Sequence, residues 1–208
     1  MATARLIPSA SSVASGVTIS SASNMYANID STTTATLTST SKDTTARYAY
    51  IRGFNFDIPS DAIVTAFEVK IKGYESRLST SSSYAPRLVN NTSVISGTTA
   101  SENFGSSDTT ITIPTGNLTW SQITGYGSDF GIRVTIKRSN KNQQGYLYIY
   151  GAEIYVTYQL PGESKLYLKE DDTWTEYSKM WQKVSGSWVE VSDPSTELDT
   201  TANYVKAN

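Results

Sequence analysis

Between Ile63 and Lys72 the chain alternates without a break: Ile63, Thr65, Phe67, Val69 and Ile71 fall on one side of an extended segment, and Val64, Ala66, Glu68, Lys70 and Lys72 on the other. A period of two belongs to a β-strand with one face in a core and one in water, the type found in antiparallel sheets. The same period returns at Phe130, Ile132, Val134 and Ile136, set against Gly131, Arg133, Thr135 and Lys137. It is also visible in Tyr146–Tyr150 and Glu153–Tyr158, and more weakly in Arg87–Val89 and Thr110–Ile113. Tyr48, Tyr50, Arg52, Phe54 and Phe56 share one face of a further run that stops at a Pro-Ser-Asp turn, Pro59–Asp61.

No segment of ten or more residues reads as an amphipathic helix, and Leu118–Ile123 amounts to a single helical turn. Many short strands separated by polar turns predict an all-β fold, an antiparallel β-sandwich of jelly-roll or Ig-like kind, over residues 1–160. More than a quarter of the chain is Ser or Thr, which suits strands with polar outer faces. The Thr-rich residues 1–45 read as short strands and long loops with Val17, Ile19, Tyr26, Ile29 and Leu37 to bury.

After a short linker at Leu160–Ser164 the composition shifts. Residues 161–208 hold three of the four Trp residues, Trp174, Trp181 and Trp188, and two similar segments, Asp172–Ser178 and Gly186–Ser192, each running Trp-x-Glu-x-Ser. They predict a small C-terminal β-meander of hairpins, too short to stand on its own core.

The chemistry open to this chain is narrow. Zero Cys excludes disulfides, thiolate nucleophiles and thiolate metal sites, and zero His excludes Ser-His-Asp catalysis and the commonest metal ligand. What remains is paired carboxylates, Lys, or oxygen-only metal sites. The acids Asp57, Asp61, Glu68, Glu75, Glu102, Asp108, Asp129 and Glu153 are expected in turns or on outward strand positions. Asp57, Asp61 and Asp129 could offer oxygens to calcium, but no EF-hand loop occurs. The expectation is no enzyme, no cofactor and no metal. A net charge of −2 supplies no global field for nucleic acid or anionic membrane, so neither is an expected partner. The N-terminus shows no secretory apolar core, and no stretch approaches a membrane span.

The residues left as candidates are aromatic. Tyr146, Tyr148 and Tyr150 lie on one face of a strand and, with Tyr74, Tyr84, Trp120 and Tyr126, could form a platform for sugar rings or a subunit interface. Trp174, Trp181 and Trp188 are candidates for a C-terminal interface. Asn90, Asn91 and Asn117 begin glycosylation sequons of the kind that Ser/Thr-rich chains produce by chance, and Lys137, Arg138 and Lys141 flank a loop expected to be solvated.

Several segments taken together carry a resemblance: Leu6–Ser9, Met25–Asp30, the long run Ile51–Ile71, Trp120, Asp129–Val134 and Ile154–Tyr158, followed by the C-terminal Lys183–Glu190 pattern. In this order they resemble the β-sandwich modules of virion structural proteins of tailed bacteriophages, with a small β-appendage at the end. The resemblance implies a non-enzymatic capsid decoration, neck or tail-associated protein located in the virion. Such a protein docks by an N-terminal segment or one sandwich face on other virion proteins, forms a homo-oligomer and touches a host-surface glycan. It transfers no catalytic residue. The alternative is a carbohydrate-binding adhesion module.

Overall fold

The computed structural model describes residues 1–40, 44–79 and 81–160 and, beyond them, the backbone of five strands at Leu166–Glu170, Thr173–Tyr177, Lys179–Val184, Ser187–Glu190 and Tyr204–Ala207. Two compact units are present, one formed by Met1–Ile58 with Val64–Tyr158 and the other by Pro59–Ile63 with Gln159–Asn208.

The first unit is an all-β sandwich. Its strands are β1 (Ala2–Leu6), β2 (Ala10–Val13), β3 (Val17–Ser20), β4 (Ala35–Ser39), β5 (Arg47–Arg52), β6 (Ile63–Ser76), β7 (Arg87–Asn90), β8 (Ser93–Thr99), β9 (Thr109–Ile113), β10 (Phe130–Ile136) and β11 (Tyr146–Gln159), with one α-helix, α1 (Trp120–Tyr126). One sheet has the order β3-β4-β11-β6-β9, with β1 also on β11, and the other has the order β2-β5-β10-β7-β8. Counted along the chain from β4 to β11, the eight inner strands stand 1-8-3-6 in one sheet and 2-7-4-5 in the other. Strands that lie side by side within a sheet belong to two nested Greek keys, the wiring of a jelly roll. Of the two sandwich types left open by the pattern, this strand order selects the jelly roll. The first three strands only widen it at the edges: β2 pairs with β5, β3 with β4, and β1 with the C-terminal half of β11.

The core lies between the two sheets. Leu37, Val69, Ile71, Ile111, Ile113, Leu147, Ile149, Ile154 and Val156 come from one, and Ala49, Ile51, Leu88, Phe130, Ile132, Val134 and Ile136 from the other, all shut from solvent. Each such Leu, Ile or Phe contributes about 1.5–3 kcal/mol by leaving water. Their alternation with Thr, Tyr, Lys and Arg turns every second side chain outward, which builds the two outer faces.

Three departures from the sequence pattern have local causes. Phe54 and Phe56 do not continue the face of Tyr48, Tyr50 and Arg52, because β5 ends at Arg52 and Gly53 takes φ of 69°. That left-handed residue, open to glycine, turns Phe54 into the core and both rings onto Phe130. The two runs Tyr146–Tyr150 and Glu153–Tyr158 are one strand whose phase slips midway: Leu147 and Ile149 point inward before it, Ile154 and Val156 after it. At the slip β11 leaves β4 for β1, Ala152 N–H donates to the Ala27 carbonyl at 3.1 Å, and a Cβ on Gly151 would run into the Ala27 and Asn28 carbonyl oxygens. Finally, Leu118–Ile123 opens a longer helix than one turn. Thr119 and Gln122 cap α1 in a reciprocal capping box, each side chain taking a hydrogen bond from the other's backbone N–H.

In the second unit the strands at Leu166–Glu170 and Thr173–Tyr177 form an antiparallel hairpin, and those at Lys179–Val184, Ser187–Glu190 and Tyr204–Ala207 form a three-stranded antiparallel sheet with the first of them in the middle. The unit is thus built of small antiparallel hairpins, as the sequence pattern predicts. Trp174 pairs with Lys169 in register, Trp181 with Glu190 and Val205, and Trp188 with Lys183.

Candidate functional site

The outer face of the six-stranded sheet carries the aromatic strip. Tyr146, Tyr148 and Tyr150 alternate on β11, and β6 beside it delivers Tyr74. The Tyr74 and Tyr148 rings stack at 4.5 Å between centroids and 12° between planes, Tyr146 stacks on Tyr148 at 6.2 Å, and Tyr74 meets Tyr150 at 6.1 Å. Offset stacking of this kind suits the ring quadrupoles. Close approach of the strands is possible because residue 73 is glycine: a Cβ there would strike the Tyr148 carbonyl oxygen and press on Ile149 and Phe104.

Polar groups fix the strip's ends. The Tyr150 hydroxyl donates to Asp108 Oδ1 at 3.1 Å and the Tyr146 hydroxyl to Gln144 Oε1 at 2.9 Å, while Lys72 Nζ sits 4.8 Å from the Tyr150 ring centroid. Thr36 and Thr38 flank it on β4, opposite Tyr148 and Tyr146. Desolvation raises the Tyr148 hydroxyl above its ordinary value, with the neighbouring tyrosines adding to the shift. Tyr150 is raised as well, by desolvation first and then by Asp108. Both stay protonated, hence uncharged donors, through the neutral range.

Trp120 and Tyr126 are not part of this strip. Trp120, on α1, packs edge-on against Phe56 at 5.7 Å and tilted on Phe67 at 5.8 Å, extending the core cluster. Tyr126 lines a separate cleft of about 390 Å³ with Ile95, Gly97, Gly116, Asn117 and Gln122, which has no charged group in its wall. Tyr84 lies elsewhere again, beneath Lys137. The candidate C-terminal residues Trp174, Trp181 and Trp188 have side chains outside the described residues.

Two acids and one basic residue occupy positions the sequence pattern does not predict. Glu153, expected outward, is 1% exposed and lies 3.8 Å from Arg5 Nη1, whose other partner is Asp30. Arg5 thereby ties β1, the loop before β4 and β11 together, and its guanidinium, raised by the Asp30 hydrogen bond, holds both carboxylates in ion pairs. That arrangement is a clamp across three segments. Glu75 is buried because it caps a turn, accepting from the Leu78 N–H at 2.7 Å. Arg138, expected in a solvated loop, is 6% exposed and donates to the Ser39 carbonyl at 2.6 Å and the Ser39 hydroxyl at 3.3 Å, latching the β10–β11 connection onto β4.

Among the described residues no three acidic side chains gather as a metal site, and no helix is long and apolar enough to cross a membrane. A comparison with protein-family models finds no match, and neither does one with curated proteins or one with solved structures.

Proposed function

We propose that this chain is a non-enzymatic structural protein of a tailed-bacteriophage virion, a decoration, neck or tail-associated component, that works by protein–protein contact through the outer faces of its jelly roll. The observation that carries the reading is the stacked tyrosine strip Tyr74–Tyr146–Tyr148–Tyr150 on an outer sheet face. Half-buried tyrosine on a rigid sheet supplies large contact area at low side-chain entropy cost, which is why Tyr is enriched at interfaces. The Arg5 ion pairs with Asp30 and Glu153 tie three segments of the sandwich together, which fits a contact-forming role. The resemblance of the segments from Leu6 to Tyr158 to phage virion modules supplies the setting.

Sedimentation of the purified full chain tests the contact reading. A stable oligomer in the absence of sugar is expected, and a monomer at tens of micromolar would count against it. The second reading, a carbohydrate-binding module, is favoured by the polar ends of the same strip, since Asp108, Gln144 and Lys72 are the partners that sugar hydroxyls need beside a ring face. It predicts a monomer with glycan affinity that Tyr148→Ala abolishes.

A further inference from the structure

The opposite outer face, on the β2-β5-β10-β7-β8 sheet, carries a different chemistry. Arg133 stands at its centre on β10, directly opposite Tyr50 on β5 and Arg87 on β7. Arg52 and Tyr48 follow on β5, and Lys137 just beyond β10. Cations lie over the rings: Arg52 over Tyr50 at 4.6 Å, Arg133 over Tyr48 at 4.4 Å and Lys137 over Tyr84 at 4.8 Å. Among the described residues no carboxylate lies within ion-pair distance of Arg52, Arg87, Arg133 or Lys137. Two arginines directly opposed across a strand pair repel, so this sheet bears an uncompensated cost at its middle.

We propose that this face is a docking surface for an acidic segment of another protein, with Arg133 receiving its carboxylate. Three of the four cations are already tethered: Arg52 donates to the Asn91 carbonyl, Arg87 to the Ser83 carbonyl at 2.7 Å, and Lys137 to the Tyr84 hydroxyl at 2.7 Å. Arg133 alone of the four meets no hydrogen-bond acceptor among the described residues; its Nε, like those of Arg52 and Arg87, is shut from water without a partner. Burial and the charge of Arg87 also lower its proton affinity. A carboxylate laid between Arg133 and Arg87 offsets their repulsion and gives Arg133 the acceptor it lacks, and the planar guanidinium fork suits it.

The frame is built in advance. Arg52 crosses over Gly131, where a Cβ would come within 2.6 Å of Arg52 Cγ and 2.5 Å of the Ile51 carbonyl oxygen. The partner chemistry follows from what the face cannot do. Tyr48, Tyr50 and Tyr84 each have a ring face covered by a cation, which leaves a poor platform for a base or a pyranose. Arg and Tyr on a flat sheet are the residue types that protein interfaces concentrate. The inference stands on this sheet's geometry and holds whether or not the chain resides in a virion.

The test is a titration of the isotope-labelled full chain with an oligoglutamate peptide of about ten residues, read by the Nε–H resonances of the arginines and by calorimetry. Saturable, salt-sensitive binding is expected, with the Arg133 Nε–H shifting most. Arg133→Gln should weaken it about tenfold, as loss of one charge-assisted hydrogen bond implies, while Lys141→Gln, on an exposed loop, leaves it unchanged. If Arg133→Gln unfolds the chain, Arg133→Lys keeps the charge without the fork and should still weaken binding several-fold. No saturable binding, or equal loss from Lys141→Gln, overturns the proposal. Tighter binding of a short DNA duplex or of an acidic oligosaccharide than of the peptide overturns the assignment to a protein partner.

Discussion

Replacing Tyr148 by alanine removes the middle ring of the tyrosine strip, and the structure sets the size of the effect. A tyrosine buries about 150–250 Å² when fully enclosed. Tyr148 is half-buried, so about 100 Å² of mostly apolar surface is returned to water, worth about 2–3 kcal/mol. The stacked pair with Tyr74, at 4.5 Å and 12°, adds about 0.5–1.5 kcal/mol beyond area. The expected loss is therefore about 3 kcal/mol, read as a lower urea midpoint at unchanged slope by far-UV circular dichroism. Tyr148→Phe keeps the ring and removes a hydroxyl that makes no hydrogen bond among the described residues, so its cost should stay within about 0.5 kcal/mol. An alanine variant as stable as the parent, or a phenylalanine variant as damaged as the alanine one, would refute the claim that ring stacking holds this face together.

Three further outcomes follow from the same geometry. Thr119→Ala breaks the capping box of α1 and should cost about 1 kcal/mol by urea denaturation, with the cleft beside Tyr126 loosening in hydrogen exchange; a neutral result would show that the helix needs no cap. Arg138→Met leaves the buried Ser39 carbonyl without its donor and should cost about 2 kcal/mol, whereas no loss would mean that the latch is idle. In an alkaline titration followed by tyrosinate absorbance, Tyr84 should ionise below its ordinary value of 10.0, because Lys137 donates to it, and Lys137→Met should restore it. Tyr148 and Tyr150 should ionise above that value, chiefly through desolvation. The stability signs differ accordingly. What Tyr148 and Tyr150 contribute is complete below pH 10 and lost as pH rises through their raised values, while what Tyr84 contributes is present above pH 10 and lost as pH falls through its lowered one.

Period-two runs at Ile63–Lys72 and Phe130–Lys137 made the sandwich legible, because alternation is a property of adjacent residues. β8 escaped notice because Ser93–Thr99 carries only Val94 and Ile95 as apolar residues and holds Gly97 at φ of 75°. Phe54 left its expected face through one glycine, and β11 changed phase through contacts with residues 27 and 28, far away in the chain. The strip was half legible: Tyr146, Tyr148 and Tyr150 share a face by spacing alone, whereas Tyr74 joins them only through the neighbouring of β6 and β11. The same dependence on strand order separates Trp120 and Tyr126 from that face, and it hid the Arg52–Arg133–Arg87 row, whose members come from three strands. Buried ions such as Glu153 and Arg138 are invisible to pattern, since only their partners, Arg5 and Ser39, explain their burial.

Immunogold labelling of purified phage particles, with antibody raised against the folded chain, tests the central claim most directly. The account predicts regular label at fixed positions on the particle, over heads for a decoration protein or confined to the neck or tail for a tail-associated one. Particles without label, under conditions where the antibody binds the native protein in solution, would contradict it.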